Sequence, residues 1–435
     1  MKSFLANTSE VKIVRISFII FAFLSIFLAL NKNSKSQPFT YQSEIWSDKA
    51  GYYIYLPATF HYGFEAENYP DSIIEKTGLG FKFKNDYIVT KYTYGVALLQ
   101  SPFYFIANIF ANKSELKSFS RLHHKMINVA SGFYLALGLM FLYFFLRNYF
   151  EPLPVIITLL ALYTASNLYY FSTDESGMAH VYSFFLFSTL LFLLKKVAFF
   201  TKKSILYSLF IGLVIGLIVL IRPTNAVFIL VVFFIDVRNL NGFAKRVKLL
   251  ILNPYFWLCV FISVLVFVPQ LLYWYLISGK FIYYSYEGEG FIWSSPKILK
   301  TLFSPLNGLV IYTPLVVFIW IGIFLMIKNR VSNGVLLFLT FMTITYIFSC
   351  WWDWAFGCSL GARSYVEYYS FLSLGLCFFF KKVISSSKYI KVSVTLIMGL
   401  FIYYNLKFSY NYDGCFNGHR NWDWERYFEV ISPLF

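Results

Sequence analysis

Charge is scarce in this chain: Asp, Glu, Lys and Arg make up 13% of its 435 residues, against 58% hydrophobic side chains. Soluble domains carry about 25% charged residues, so the composition excludes an ordinary water-soluble fold. Acids are scarcer still, 21 against 37 Lys and Arg, which leaves a net charge of +16. In a soluble protein that excess would point to nucleic acid. Here the surplus bases lie mostly in short stretches between apolar runs, where they set membrane orientation, and no nucleic-acid partner is expected. The five cysteines are scattered without ligand spacing. Cys350 and Cys358 are close enough in sequence for a disulfide, but unpaired thiols are the reading taken. Also missing are a Walker loop, a dinucleotide Gly-rich fingerprint, HExxH and GxSxG, which argues against nucleotide-driven transport and soluble-cofactor chemistry. No cofactor is expected, and a divalent cation is permitted but not indicated. No internal repeat or low-complexity tract is present.

What the chain does have is long apolar runs, at about 12–30, 126–147, 153–172, 178–199, 204–221, 224–237, 253–277, 306–327, 332–350, 364–380 and 392–409. They predict an all-α polytopic membrane protein with about eleven transmembrane helices, since a bilayer core is about 30 Å thick. Lys2, Lys12 and Arg15 precede the apolar stretch from Ile16 to Leu30, and Asn31 follows it without a small-residue cleavage pattern. This reads as an uncleaved signal anchor with a cytoplasmic N-terminus. The connections then alternate: those with Arg147, 195–203, 238–248, Lys328 with Arg330, and 381–391 are basic and fall inside. Residues 92–111 are apolar enough to suggest a further span, but a crossing there would invert every later loop. They are therefore expected to form a juxtamembrane or re-entrant helix broken at Pro102. Residues 31–125 become one large outer loop of short interfacial helices, within a single domain covering 1–435.

With that topology nearly all acids and arginines suited to chemistry face outward, and ionisable groups at a membrane edge are functional candidates. Asp48, in WSDKAGYYIYLP, suits a general base beside an aromatic run; the plainer alternative is a helix N-cap by Ser47 and Asp48. Asp174 and Glu175 form a turn before His180, and read either as an acid pair positioning an acceptor or metal with His180 donating to a phosphate, or as a capped turn with Ser172 and Thr173. Arg222 precedes Pro223 at a helix end, where it can reach headgroups or fork onto a phosphate. Glu289 sits between Gly288 and Gly290 in a flexible loop suited to a lid, with Glu287 nearby and Lys297 and Lys300 as weak anion-binding candidates. The stretch WWDWAFGCSLGARSYVEYYSF brings Trp351, Trp352 and Trp354, which read either as interfacial anchors or as a sugar or lipid platform, with Asp353 between them as a further substrate-binding candidate. Gly357 and Gly361 would permit close approach, Arg363 would hold phosphate, and Glu367 would orient Arg363.

These stretches, with TKYTYGVALLQSPFYFIA, MAHVYSF, GLIVLIRPTN and FSPLNGLVIYTP, resemble the GT-C superfamily of integral-membrane glycosyltransferases. Within it, the layout is similar to the branch of dolichyl-phosphate-mannose protein mannosyltransferases and bacterial aminoarabinose transferases. The resemblance implies a GT-C-like fold, a polyprenyl-phosphate sugar donor, and Asp48 as the first-loop acid serving as general base. The acceptor would be a lipid, glycan or protein. Two departures stand out: Lys49 replaces a second acid after Asp48, and 409–435 leaves little room for a soluble domain. WWDWAFG also echoes the WWDYG string of oligosaccharyltransferases, which lies in a soluble domain there. The abundance of Lys, Asn, Phe, Tyr and Ile suggests a bacterial inner membrane, with the site facing the periplasm. Rival readings are a transporter or flippase of lipid-linked saccharides and a polysaccharide polymerase.

Overall fold

The computed structural model describes residues 8–202, 204–412 and 421–432. It is predominantly helical, and among the described residues five helices are long and apolar enough to cross a membrane: Ser9–Lys32, Arg121–Leu146, Ala179–Lys196, Pro254–Ser278 and Lys388–Asn411. The other six expected spans are shorter or interrupted. Pro152–Thr164 stops before a break at 165–167, Pro223–Phe234 is largely 3-10, and Val316–Lys328 follows Pro314, which separates it from Leu309–Tyr312. Ile205–Ile221, Gly334–Ser349 and Tyr369–Ile384 have 17, 16 and 16 residues, fewer than the roughly 20 that an untilted span needs. The first helix begins before its apolar stretch and includes Lys12 and Arg15.

Helix pairs meet where side chains are small. Gly212 and Gly216, one turn apart on Ile205–Ile221, face Pro254–Leu265 so closely that a Cβ would fall 2.7 Å from the Cys259 carbonyl oxygen and 2.9 Å from that of Ser263. This is the small-residue packing that lets apolar helices approach in lipid, and Ser263 Oγ adds a hydrogen bond to the Gly212 carbonyl at 2.9 Å. The Arg121–Leu146 helix packs on the first helix and on Ala179–Lys196, forming the centre of the bundle.

One end of the bundle is tied by charge. Arg147 Nε donates to Glu10 at 2.8 Å; Asp236 accepts from Tyr149 at 3.0 Å and from Asn333 at 2.9 Å, and also pairs with Lys195. The sequence-predicted basic connections near Arg147, Lys195 and 238–248 thus meet at a common end.

Residues 31–125 depart from the all-α expectation. Lys82–Lys84 and Tyr87–Val89 form an antiparallel hairpin in which Lys84 faces Tyr87 and Lys82 faces Val89. Its turn residues Asn85 and Asp86 both have positive φ, 51° and 62°, as a two-residue hairpin turn requires. A separate apolar cluster, including Ile45, Tyr53, Leu56, Phe81 and Ile88, anchors this segment and reaches Tyr273 and Ile277. Pro102 does not break its helix, which runs unbroken from Gly95 to Phe110. A proline leaves the carbonyl four residues back without its donor, and Ser101 Oγ supplies one to Leu98 O at 2.8 Å.

Candidate active site

At the end opposite the Glu10–Arg147 pair, a cavity of about 980 Å³ opens between helix ends and loops. Asp48, Glu175, His180, Arg222, Glu289, Trp352, Asp353 and Arg363 line it; Asp174 and Glu367 do not.

Asp48 begins the short helix Asp48–Tyr53. Ser47 makes no side-chain cap, and the Asp48 carboxylate turns away to Arg363 Nη2 at 3.3 Å, so the capping alternative does not describe this turn. The helix is seated by backbone proximity: a Cβ on Gly51 would lie 2.5 Å from the Gly80 carbonyl oxygen, and one on Gly80 would lie 2.1 Å from that of Ser47. Tyr52 and Tyr92 pack with ring centroids 4.1 Å apart beside the carboxylate. Burial pushes the Asp48 carboxyl up, but the Arg363 charge, the Tyr92 hydroxyl and Lys91 outweigh it and hold the group below the usual carboxylate range.

Arg222 leaves the Ile205–Ile221 helix in an extended conformation (φ −149°, ψ 116°), as a residue before proline tends to do. It does not snorkel outward. Its Nη1 donates to Glu367 Oε1 at 2.9 Å, and the other Glu367 oxygen takes His180 Nδ1 at 3.0 Å. Glu367 is fully buried and therefore orients Arg222 and His180, not Arg363 as expected. The cause is local: Arg363–Tyr365 is a 3-10 turn and the helix starts only at Tyr369, so positions four apart do not share a face.

The loop carrying Arg363 is pinned from below. Asn307 Nδ2 donates to the carbonyls of Ala355 and Gly357 at 2.9 and 2.8 Å, Asn167 Nδ2 to that of Leu360 at 3.1 Å, and the Tyr412 hydroxyl to that of Ser359 at 2.8 Å. Gly357 lines the cavity, whereas Gly361 packs against Tyr312. Cys358 is disulfide-bonded and Cys350 is a buried free thiol, so the two do not pair with each other and the expectation of unpaired thiols fails at Cys358.

The expected acid pair is split. Glu175 meets Lys49 Nζ at 3.3 Å on the cavity wall, while Asp174 pairs with Lys32 at 3.1 Å outside it. Neither caps the next helix, whose N-cap is Met178 without a side-chain bond. Among the described residues no three His, Cys, Asp or Glu side chains gather to hold a metal ion. Burial raises the Asp174 carboxyl to about 6 despite Lys32. An acid whose folded pKa exceeds its unfolded value binds more protons when folded, so its contribution to stability falls as pH rises from about 4 to 6. Asp174→Asn is therefore expected to gain thermal stability relative to the parent between pH 4 and 7, with turnover within a few-fold. Melting curves across that range check the sign.

A strap between Pro254–Ser278 and Ile298–Phe303 contributes Tyr284, Tyr286, Glu289 and Phe291 to the cavity lining. Glu289 pairs with Lys91 at 3.1 Å, and Glu287, outside the cavity, bridges Lys82 and Lys84 at 2.7 Å each. Phe291 bridges to Trp351, and the backbone N–H of Trp352 donates to Gly290 O at 2.9 Å. Lys297 and Lys300 do not line the cavity. The sequence reading missed Lys91, Tyr92 and Tyr286, which do. The hairpin that places Lys91 was signalled by KFKNDYIV, two alternating runs around a two-residue turn.

No protein-family model matches the chain, and neither does any curated protein. Among solved structures, the chain is similar to an oligosaccharyltransferase of Archaeoglobus fulgidus in its apo form, at 14% identity and a TM-score of 0.49. The match covers 91% of this chain and 55% of that one, so the chain spans about half the length of that protein.

Proposed function

We propose that the protein transfers a sugar from a polyprenyl-phosphate carrier to a hydroxyl acceptor, lipid, glycan or protein, on the non-cytoplasmic face of a bacterial inner membrane. The observation that carries this reading is the grouping of one carboxylate, Asp48, with two guanidiniums, Arg222 and Arg363, around a single large cavity at one end of an apolar bundle.

The acceptor hydroxyl attacks the anomeric carbon, its proton passes to Asp48, and the bond from that carbon to the carrier phosphate breaks with its electron pair on the phosphate oxygen. Arg222 and Arg363 stabilise the charge that develops there. Each offers N–H groups beyond the one spent on its carboxylate partner, and such preorganised donors are worth about 10²–10³ in rate each. The Arg363–Asp48 pair couples the two substrates. A donor phosphate competes for Arg363, and a carboxylate relieved of its cation becomes a stronger base. Donor binding thus readies Asp48 for the acceptor. Trp352 and Asp353 offer an aromatic face and a carboxylate for sugar hydroxyls, with Glu175 and Glu289 held on the walls by Lys49 and Lys91.

A flippase needs a path through the bundle. Instead, Phe187 and Phe228 stack 3.7 Å apart, with the buried Tyr368 and Phe371 against them. That packing favours chemistry at the surface. The test is incubation of the purified chain in lipid with a panel of undecaprenyl-phosphate sugars, with and without acceptor glycans. Release of carrier phosphate from one donor is the expected result. Release from none, while labelled carrier crosses the bilayer, sinks the transferase reading.

A further inference from the structure

Glu367 has no access to the cavity, yet it bonds two side chains that line it. One of its oxygens is occupied by the Arg222 guanidinium, so the carboxylate is charged-paired and can only accept. The 3.0 Å contact to His180 Nδ1 therefore carries the imidazole proton on Nδ1. Arg222 Nη1 also reaches that nitrogen, at 3.4 Å, and as a pure donor it would call for a lone pair there; the carboxylate contact is shorter, at 3.0 Å, and bears a full negative charge, so it governs where the proton sits. In a neutral imidazole with Nδ1 protonated, Nε2 holds a lone pair. Nothing in the protein bonds Nε2 among the described residues, the ring lines the cavity beside Arg222, and the edge of Phe171, with centroids 4.7 Å apart, limits its tilt.

We infer that His180 is a hydrogen-bond acceptor for a substrate hydroxyl lying next to the phosphate subsite, and that Glu367 is the positioning residue that fixes the ring in the accepting tautomer. This reverses the role that the sequence suggests, in which His180 donates to phosphate. Donation by a neutral ring would need the proton on Nε2, and that would set the Nδ1 lone pair against the Glu367 carboxylate. The tautomer stands on geometry alone; assigning the hydroxyl to the sugar of a carrier-linked donor rests on the function proposed above. A site built to accept from a hydroxyl selects for it, because the lone pair goes unpaired with a deoxygenated substrate.

Solid-state 15N spectra of the full-length, histidine-labelled protein in bilayers read the tautomer without turnover, with the His180 signal assigned by its loss in His180→Phe. The expected spectrum has Nδ1 protonated and Nε2 bare, unchanged on adding undecaprenyl phosphate. Glu367→Asp should keep this state, and Glu367→Gln should shift population to the Nε2-protonated form. A protonated Nε2 in the unmodified protein, or one that appears with undecaprenyl phosphate, overturns the inference. Should Glu367→Gln fail to fold, carrier release by His180→Gln and His180→Phe decides: the amide, which can still accept, should retain activity at least about tenfold above the phenyl variant. Equal activities would overturn it. Absent carrier release together with a bare Nε2 would instead count against the transferase reading, leaving the dyad intact.

Discussion

Asp48→Asn is expected to lower turnover by about 10²–10⁴ while the protein stays folded, because an amide of the same shape cannot take the acceptor proton. The side chain is 27% exposed on the cavity wall, and its ion pair to Arg363 is long at 3.3 Å, so the stability lost with the charge is small beside the kinetic effect. The substitution also releases Arg363 from its carboxylate partner. Donor KM should therefore hold or fall while kcat drops, the signature of a group needed only in the transition state. The pH behaviour follows from the same pairing. The folded pKa of Asp48 is depressed, so its stabilising contribution is complete above the unfolded value near 4 and is lost as pH falls through the lower folded value. No acid limb from Asp48 should appear above pH 5 in the free enzyme. Carrier-release rates from pH 4.5 to 8 check this, and near-parental turnover by purified Asp48→Asn would remove the residue from the mechanism.

Much of this site was legible because of where charges fall relative to apolar runs. His180, Arg222 and Arg363 each stand close to an end of an apolar run, Asp48 lies in the outer loop that follows the first run, and ends and loops on the same side of a bundle meet in space. Partner choice was not legible in that way. Asp174 and Glu175 are adjacent in sequence, yet successive residues of a turn diverge, one reaching Lys32 and the other Lys49. Glu367 was assigned to Arg363, four residues before it, but the 3-10 turn over Arg363–Tyr365 leaves Glu367 with Arg222 and His180 and Arg363 with Asp48. Hydropathy also counted more spans than there are long helices, since a window averages apolar side chains without registering where Pro223 or Pro314 interrupts the backbone. The lysines in and just after the hairpin escaped notice because their meaning depends on long-range partners in the strap: Lys82 and Lys84 find Glu287, and Lys91 finds Glu289, about two hundred residues away in sequence.

Arg222→Met should be the most destabilising change at the site, costing about 3–5 kcal/mol, since it leaves the fully buried Glu367 carboxylate with only His180 for compensation. The penalty belongs to the stranded charge rather than to the lost contact. The double variant Arg222→Met, Glu367→Leu removes both charges, replaces them with apolar groups of similar volume, and should recover most of the melting temperature. It should not recover activity, because the guanidinium that meets the donor phosphate is gone and His180 has lost the carboxylate that holds its ring. Thermal unfolding of parent, single and double variants in the same lipid, alongside carrier release, separates the two effects. A single variant as stable as the parent would mean that Glu367 is solvated or protonated rather than paired, and the arrangement of Arg222 and His180 around it would then need another cause. A double variant with restored turnover would show that Arg222 serves the fold alone, leaving Arg363 as the phosphate contact.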